Sequence, residues 1–271
     1  MNLDQGGSCL VSGWERVRVP GVPVFVYHGL ADHTDLRVAA ELSRYWVSRN
    51  QFNAQLDHIS RAHCRIVLLR DLNPNETHRR AVLTFDDGNA SDFGLAYPLL
   101  IEQGAKAEFF VNTATVSTTG YLTWREIIEM QRNGMSFQSH SHDHVDLTRL
   151  SNRELERQLN LSKKTLEDRL GNSVDFLAAP LGQMNRKVID CALQTGYRAV
   201  CSARSLPARP GGSKLNRVVV YSATSSREFK YLLACKPSSY LGRIARSPLY
   251  RAKNVLNQLR VVRFAGNARR G

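Results

Sequence analysis

Ala81-Val82-Leu83-Thr84-Phe85 runs directly into Asp86-Asp87-Gly88. A short apolar run of this kind, bounded by a turn signal, reads as a strand. Gly88 permits a sharp turn at its end. Two neighbouring carboxylates at a strand terminus repel each other unless a cation or a proton resolves the repulsion. Working outward, short apolar runs alternate with amphipathic stretches that carry helix punctuation. Upstream, Val22 to Tyr27 reads as a strand, residues 35–47 as a helix and Arg65 to Leu69 as a buried strand. Downstream, a helix stops at Gly104 and Glu108 to Val111 follows as a strand. Thr123 with Glu126 and Ser151 with Glu154 form capping boxes, and Gly134 and Gly171 stand where those helices end. Val174 to Ala178 is a strand, Asn185 to Gln194 a helix stopped by Gly196, and Tyr197 to Cys201 and Arg217 to Val220 are the last strands. This alternation predicts an α/β fold on a parallel sheet, either open or closed into a barrel.

The composition of the 271-residue chain, 42% hydrophobic and 23% charged, excludes wholesale disorder and collagen-like repeats. No stretch approaches about eighteen uninterrupted apolar residues, and no signal peptide is visible. The five cysteines, Cys9, Cys64, Cys191, Cys201 and Cys235, are odd in number and form no CxxC pair. That pattern fits a reducing compartment, so a cytoplasmic protein is expected. The net charge of +13 is uneven, because ten Lys or Arg and no acid lie between Phe229 and Gly271. From Ser247-Pro248 onward, Ala252, Val255, Leu256, Leu259 and Val262 share one helical face among basic residues. A basic amphipathic helix of this type suits peripheral association with an anionic membrane, at the inner face, or simple docking on the domain. Aromatic interleaving is sparse, so no nucleic acid is expected as a partner. The chain divides into an N-terminal extension (1–21), a domain (22–225) and a basic C-terminal tail (226–271).

His140-Ser141-His142-Asp143-His144 concentrates three of the eight histidines. Two imidazoles at i and i+4 with one carboxylate make a three-ligand set that leaves a position open for water, the usual form of a catalytic zinc-type centre. Asp86-Asp87, His140 and Pro180-Leu181-Gly182 each follow a strand. All three are thus placed at C-terminal ends of parallel strands, where such folds put active sites. His142 should point away from the other two histidines if the segment is extended.

Thr84-Phe85-Asp86-Asp87-Gly88, followed by His140-Ser141-x-x-His144 and Asp146-Leu147-Thr148, resembles the polysaccharide deacetylase (NodB-homology) family. Ala107 to Val111, Tyr121 to Trp124 and Leu166 to Gly171 are similar to its linking elements. The segments 23–28 and 176–182 resemble the branch acting on poly-N-acetylglucosamine. The resemblance implies a distorted (β/α)7 barrel of the NodB type, followed here by a basic helical tail. It implies that Asp87, His140 and His144 hold a divalent metal, most often Zn²⁺, with Co²⁺ or Ni²⁺ as alternatives. Asp86 would be the general base, the backbone N–H of Leu181 an oxyanion donor, and His28 the general acid, since the family's C-terminal Leu-x-His is absent. The Arg that orients the base in many members is replaced by Ala178. Arg217 resembles a late Arg of that branch that could pair with an active-site acid, or else makes a surface salt bridge. The implied reaction is N-deacetylation of N-acetylglucosamine-type units in a poly- or oligosaccharide, including a lipid-linked precursor, as in exopolysaccharide biosynthesis. The alternatives are an amidase acting on a non-sugar C–N bond and a catalytically idle glycan- or membrane-associated protein.

Overall fold

The computed structural model describes residues 18–32, 43–76 and 78–246. Eight strands form one parallel sheet: β1 (Val24–Tyr27), β5 (Arg80–Asp87), β6 (Glu108–Val111), β7 (Ser136–Ser139), β8 (Phe176–Ala178), β9 (Ala199–Ser202), β10 (Lys214–Asn216) and β11 (Val218–Val219). Their order is β10-β9-β8-β7-β6-β5-β1-β11. β10 and β11 are two halves of one run interrupted only at Arg217. The first half pairs with β9 and the second with β1. The sheet therefore curls into a nearly closed barrel with its seam at that residue. β4 (Arg65–Ile66) adds to β5 outside this path, and β2 (Gly29–Ala31) pairs with β3 (Trp46–Ser48) beside the barrel mouth.

Strand alternation divides the core in two. Val24, Val82, Phe110, Phe176, Ala199 and Leu215 belong to a small cluster on the inner face. Outside, Tyr27, Phe85, Phe109 and Phe137 lie in register on β1, β5, β6 and β7. Their rings stack at 5.2, 4.9 and 5.3 Å in succession. This aromatic belt shares one core with the buried faces of the helices α1 (Arg49–Arg61), α2 (Tyr97–Glu102), α3 (Trp124–Arg132), α4 (Asn152–Leu170) and α5 (Arg186–Gln194). Both capping boxes are formed, and Gly171 ends α4 in the left-handed conformation.

The structure corrects two readings. Of the helix expected over 35–47, residues 35–42 lie outside the described part, Ser43–Tyr45 is a 3-10 turn and Trp46–Ser48 is a strand. Only Arg65–Ile66 of the expected strand 65–69 is extended, and Leu69–Asp71 is a 3-10 turn. In the segment read as a tail, α6 (Ser226–Leu233) and α7 (Pro237–Arg246) bury Phe229, Leu232 and Tyr240 against the barrel. Phe229 stacks on Phe25 at 4.6 Å. The basic amphipathic helix expected from Ser247, with the membrane contact expected of it, lies outside the described residues. No helix among those described is long and apolar enough to cross a membrane.

Candidate active site

Four loops at the C-terminal ends of the strands meet in a cleft of about 420 Å³. β5 delivers Asp86 and Asp87, β7 leads into His140 and His144, β8 leads into Leu181, and β1 leads into His28. The turn after β5 is tight, with φ of 77° at Asp87 and 70° at Gly88. A Cβ at Gly88 would sit 2.9 Å from Val111 Cγ1, so the glycine is required on both counts. Ser141, His144 and Leu181 also take positive φ (67°, 54° and 59°). Left-handed backbone at non-glycine residues costs about 1–2 kcal/mol each, so its concentration here marks a site held against local preference.

Asp87, His140 and His144 converge, with one ligand atom of each within 4.8 Å of the others. Asp87 Oδ1 lies 3.4 Å from His140 Nε2 and 3.2 Å from His144 Nε2. His140 Nδ1 donates to the Ala178 carbonyl at 2.8 Å, which leaves the lone pair on Nε2 facing the carboxylate. Two acceptors pointed at one another need a proton or a cation between them. Ligands at ~2.0–2.1 Å from a tetrahedral ion stand about 3.3 Å apart, so the donor set and its spacing fit a zinc-type ion. Burial would push the Asp87 carboxyl up, but hydrogen bonding to both imidazoles holds it well below the carboxylate range. His140 behaves in the opposite sense. Burial disfavours its charge, yet the Asp86 and Asp87 carboxylates raise its pKa. His142 is turned aside, its Nδ1 2.7 Å from Thr113 Oγ1, and takes no part in the cluster.

Asp86, one residue before Asp87 and on the inner face of the barrel, is buried. Arg217 grips it through Nη1–Oδ1 at 2.7 Å and Nη2–Oδ2 at 2.8 Å. Arg217 is itself 1% exposed and its guanidinium lies 4.9 Å from the centre of the Phe110 ring. Of the two readings open for Arg217, the surface salt bridge is therefore wrong, and the pairing with an active-site acid is what the structure holds. Burial raises the Asp86 carboxyl, but the charges of Arg217 and His140 and the Arg217 hydrogen bonds outweigh it and keep it ionised below the usual range. Arg217 comes from the seam between β10 and β11, so the break that interrupts the barrel supplies the cation that Ala178 does not.

His28 lines the same cleft, its ring 4.9 Å from that of Tyr45 and its Nδ1 enclosed without a hydrogen-bond partner. Burial drives its imidazole towards the neutral form, against the pull of Asp86 and Asp87. Leu181 is 64% exposed at the cleft rim. The N–H groups of Gly182 and Gln183 close the turn onto Ala179 and Pro180. Sequence reading missed the aromatic lining of Tyr45, Trp46, Tyr121 and Tyr221. Tyr45 and Trp46 fall in the stretch misread as helix. The one available signal for Tyr221 was its place just after the last strand.

The polysaccharide deacetylase family model matches residues 73–200. The chain is 27% identical over 191 residues to YxkH of Bacillus subtilis, whose name places it among the polysaccharide deacetylases, covering 69% of this chain and 66% of that one. It is 33% identical over 116 residues to the peptidoglycan-N-acetylglucosamine deacetylase PgdA of Listeria monocytogenes, spanning 42% of this chain but only 24% of that protein. Among solved structures, the Streptococcus pyogenes deacetylase PplD in complex with acetate superposes with a TM-score of 0.72 at 25% identity, over 81% of this chain and 100% of that one. IcaB from Ammonifex degensii shares the fold, with a TM-score of 0.68 at 23% identity over 80% and 97% of the two chains.

Proposed function

The chain belongs to the polysaccharide deacetylase family, and from that premise we propose that it hydrolyses the acetamido group of N-acetylglucosamine-type units in a poly- or oligosaccharide, releasing acetate and a free amine. The observation that carries this reading is the pairing of a cation-fitting triad, Asp87, His140 and His144, with an adjacent carboxylate fixed as an anion by Arg217. The named activity of PgdA on N-acetylglucosamine supports the sugar assignment. We place the catalytic unit in residues 22–225.

Asp87, His140 and His144 would hold a divalent cation, most simply Zn²⁺, which would supply Lewis acidity to the acetamide carbonyl and lower the pKa of water towards neutral pH. That requirement follows from Asp86. A carboxylate held below its ordinary pKa is a weak base, and it can take a proton only from water that has been acidified. Arg217 occupies one lone pair on each Asp86 oxygen, and the remaining lone pairs accept the proton as water oxygen attacks the carbonyl carbon. Negative charge then builds on the former carbonyl oxygen, where the Leu181 N–H donates to it; one such donor contributes about 3–4 kcal/mol. The C–N bond breaks as the departing nitrogen takes a proton from His28, which acts here as the imidazolium that Asp86 and Asp87 favour against burial and returns to the neutral form as it gives the proton up. Tyr45, Trp46, Tyr121 and Tyr221 give the cleft faces on which pyranose rings can lie.

Acetate release from defined N-acetylglucosamine oligomers, with and without added Zn²⁺, Co²⁺ or Ni²⁺, tests the proposal. Release that depends on the cation and stops with chelator is expected. A protein that frees no acetate from these oligomers with any of the three ions would sink it.

A further inference from the structure

The pole of the barrel opposite the catalytic cleft holds a second cavity, of about 460 Å³. Its walls are the segment 18–23 leading into β1, Pro74, Glu76 and residues 78–80 at the start of β5, Arg209 and Pro210, and the turn that follows α6. These walls are tied together by backbone bonds: Val19 N–H donates to Cys235 O at 2.8 Å, and Val22 and Ala208 exchange bonds of 2.9 and 2.8 Å. Four prolines line it and stiffen the backbone further.

The charge in this cavity is one-sided. Arg18, Arg79, Arg80 and Arg209 line it against a single carboxylate, Glu76. Glu76 is already shared, lying 3.0 Å from Arg80 Nη1 and 3.4 Å from Arg65 Nη1. Arg80 is 5% exposed, and its Nη2 is pinned by the carbonyls of Asn73 and Glu76 at 2.8 and 3.1 Å. Its Nε–H, buried at the cavity wall, has no hydrogen-bond partner. An unpartnered buried donor is costly, and a guanidinium donor more so than a neutral one. Arg18 and Arg209 are exposed and have no ion-pair partner among the described residues.

We propose that this cavity binds a phosphoryl group carried on a larger molecule. Several guanidinium forks around one space call for an anion with more than one charge and at least three acceptor oxygens. A carboxylate has two oxygens and one charge. The volume exceeds that of a bare phosphate, which leaves room for the group to which the phosphate is attached. The site lies at the N-terminal ends of the strands, so its ligand does not compete with the sugar at the C-terminal ends.

Binding of inorganic pyrophosphate to the full chain, followed by calorimetry, gives one arm of the test. Flotation with phosphatidylglycerol vesicles, against phosphatidylcholine alone, gives the other. Saturable 1:1 pyrophosphate binding assigns a soluble phosphorylated ligand, and vesicle binding without it assigns a lipid headgroup; both support the site. In either arm Arg209→Glu should weaken binding about tenfold or more, and Arg18→Glu with Arg209→Glu should remove it, while Arg209→Lys keeps part of it. Thermal unfolding of each variant should match the parent, and acetate release should be unchanged. Absence of binding in both arms, or equal binding by the parent and the double variant, would overturn the proposal. These readouts do not depend on the deacetylase activity, so the two readings can fail separately.

Discussion

Asp86 and Arg217 are 131 positions apart, yet they form a bidentate pair that is almost wholly out of water. A buried pair of this kind stabilises little by itself, but removing one partner leaves an uncompensated charge and costs about 3–5 kcal/mol. Arg217→Met should therefore lower stability by that order and, more tellingly, change the pH dependence. In the parent, the depressed Asp86 pKa gives stability that is present above the ordinary carboxylate range and lost only as pH falls through the lower folded value. Without Arg217, burial dominates, the pKa of Asp86 rises, and the acid limb of acetate release should move to higher pH. An acid limb that stays put would separate Arg217 from the base. Asp86→Asn should cut turnover at least a hundredfold while the ion stays bound. Asp86 and Asp87 were legible in the sequence because they end a strand, and His140 and His144 because they follow one, in a parallel alternation. Arg217 stayed open between pairing with an active-site acid and a surface salt bridge, because nothing local distinguishes a strand arginine aimed into a barrel from one aimed at solvent.

At the scale of elements, the capped helices were the readable ones, since capping boxes at Thr123 and Ser151 and glycine stops are local chemistry. The Ser225-Ser226-Arg227-Glu228 stretch carries the same capping signature, and α6 does begin there, with Ser225 accepting from the Glu228 N–H. That helix was legible and went unread. β3 was not legible, because it exists through pairing with β2 across the barrel mouth. Gly29 lets the Trp46 ring come close, as a Cβ there would lie 3.0 Å from it. Phe229→Ala should cost about 3–5 kcal/mol by emptying the contact between α6 and β1, measurable in urea unfolding. Gly182→Ala tests the other end of the scale. Its Cβ would meet Ala203 Cβ at 2.8 Å in a left-handed backbone, so the Leu181 turn must shift. Acetate release should fall through kcat by more than the loss of stability explains, and a variant that lowers Tm but spares kcat would remove Leu181 from its proposed role.

For the whole molecule, the barrel separates two kinds of charge. Carboxylates and imidazoles gather at the C-terminal ends of the strands and arginines at the N-terminal ends. The strand run 214–219 joins the two edges of the sheet and, at its break, sends a cation through the interior to the catalytic pole. A ligand that binds only the folded chain stabilises it by mass action, so Zn²⁺ should raise Tm in the parent and not in His140→Ala. The most direct test of the central claim is to determine metal content and acetate release together on Asp86→Asn and His140→Ala. The account predicts about one ion per chain and no turnover for Asp86→Asn, and neither ion nor turnover for His140→Ala. Full turnover by Asp86→Asn, or undiminished metal in His140→Ala, would contradict it.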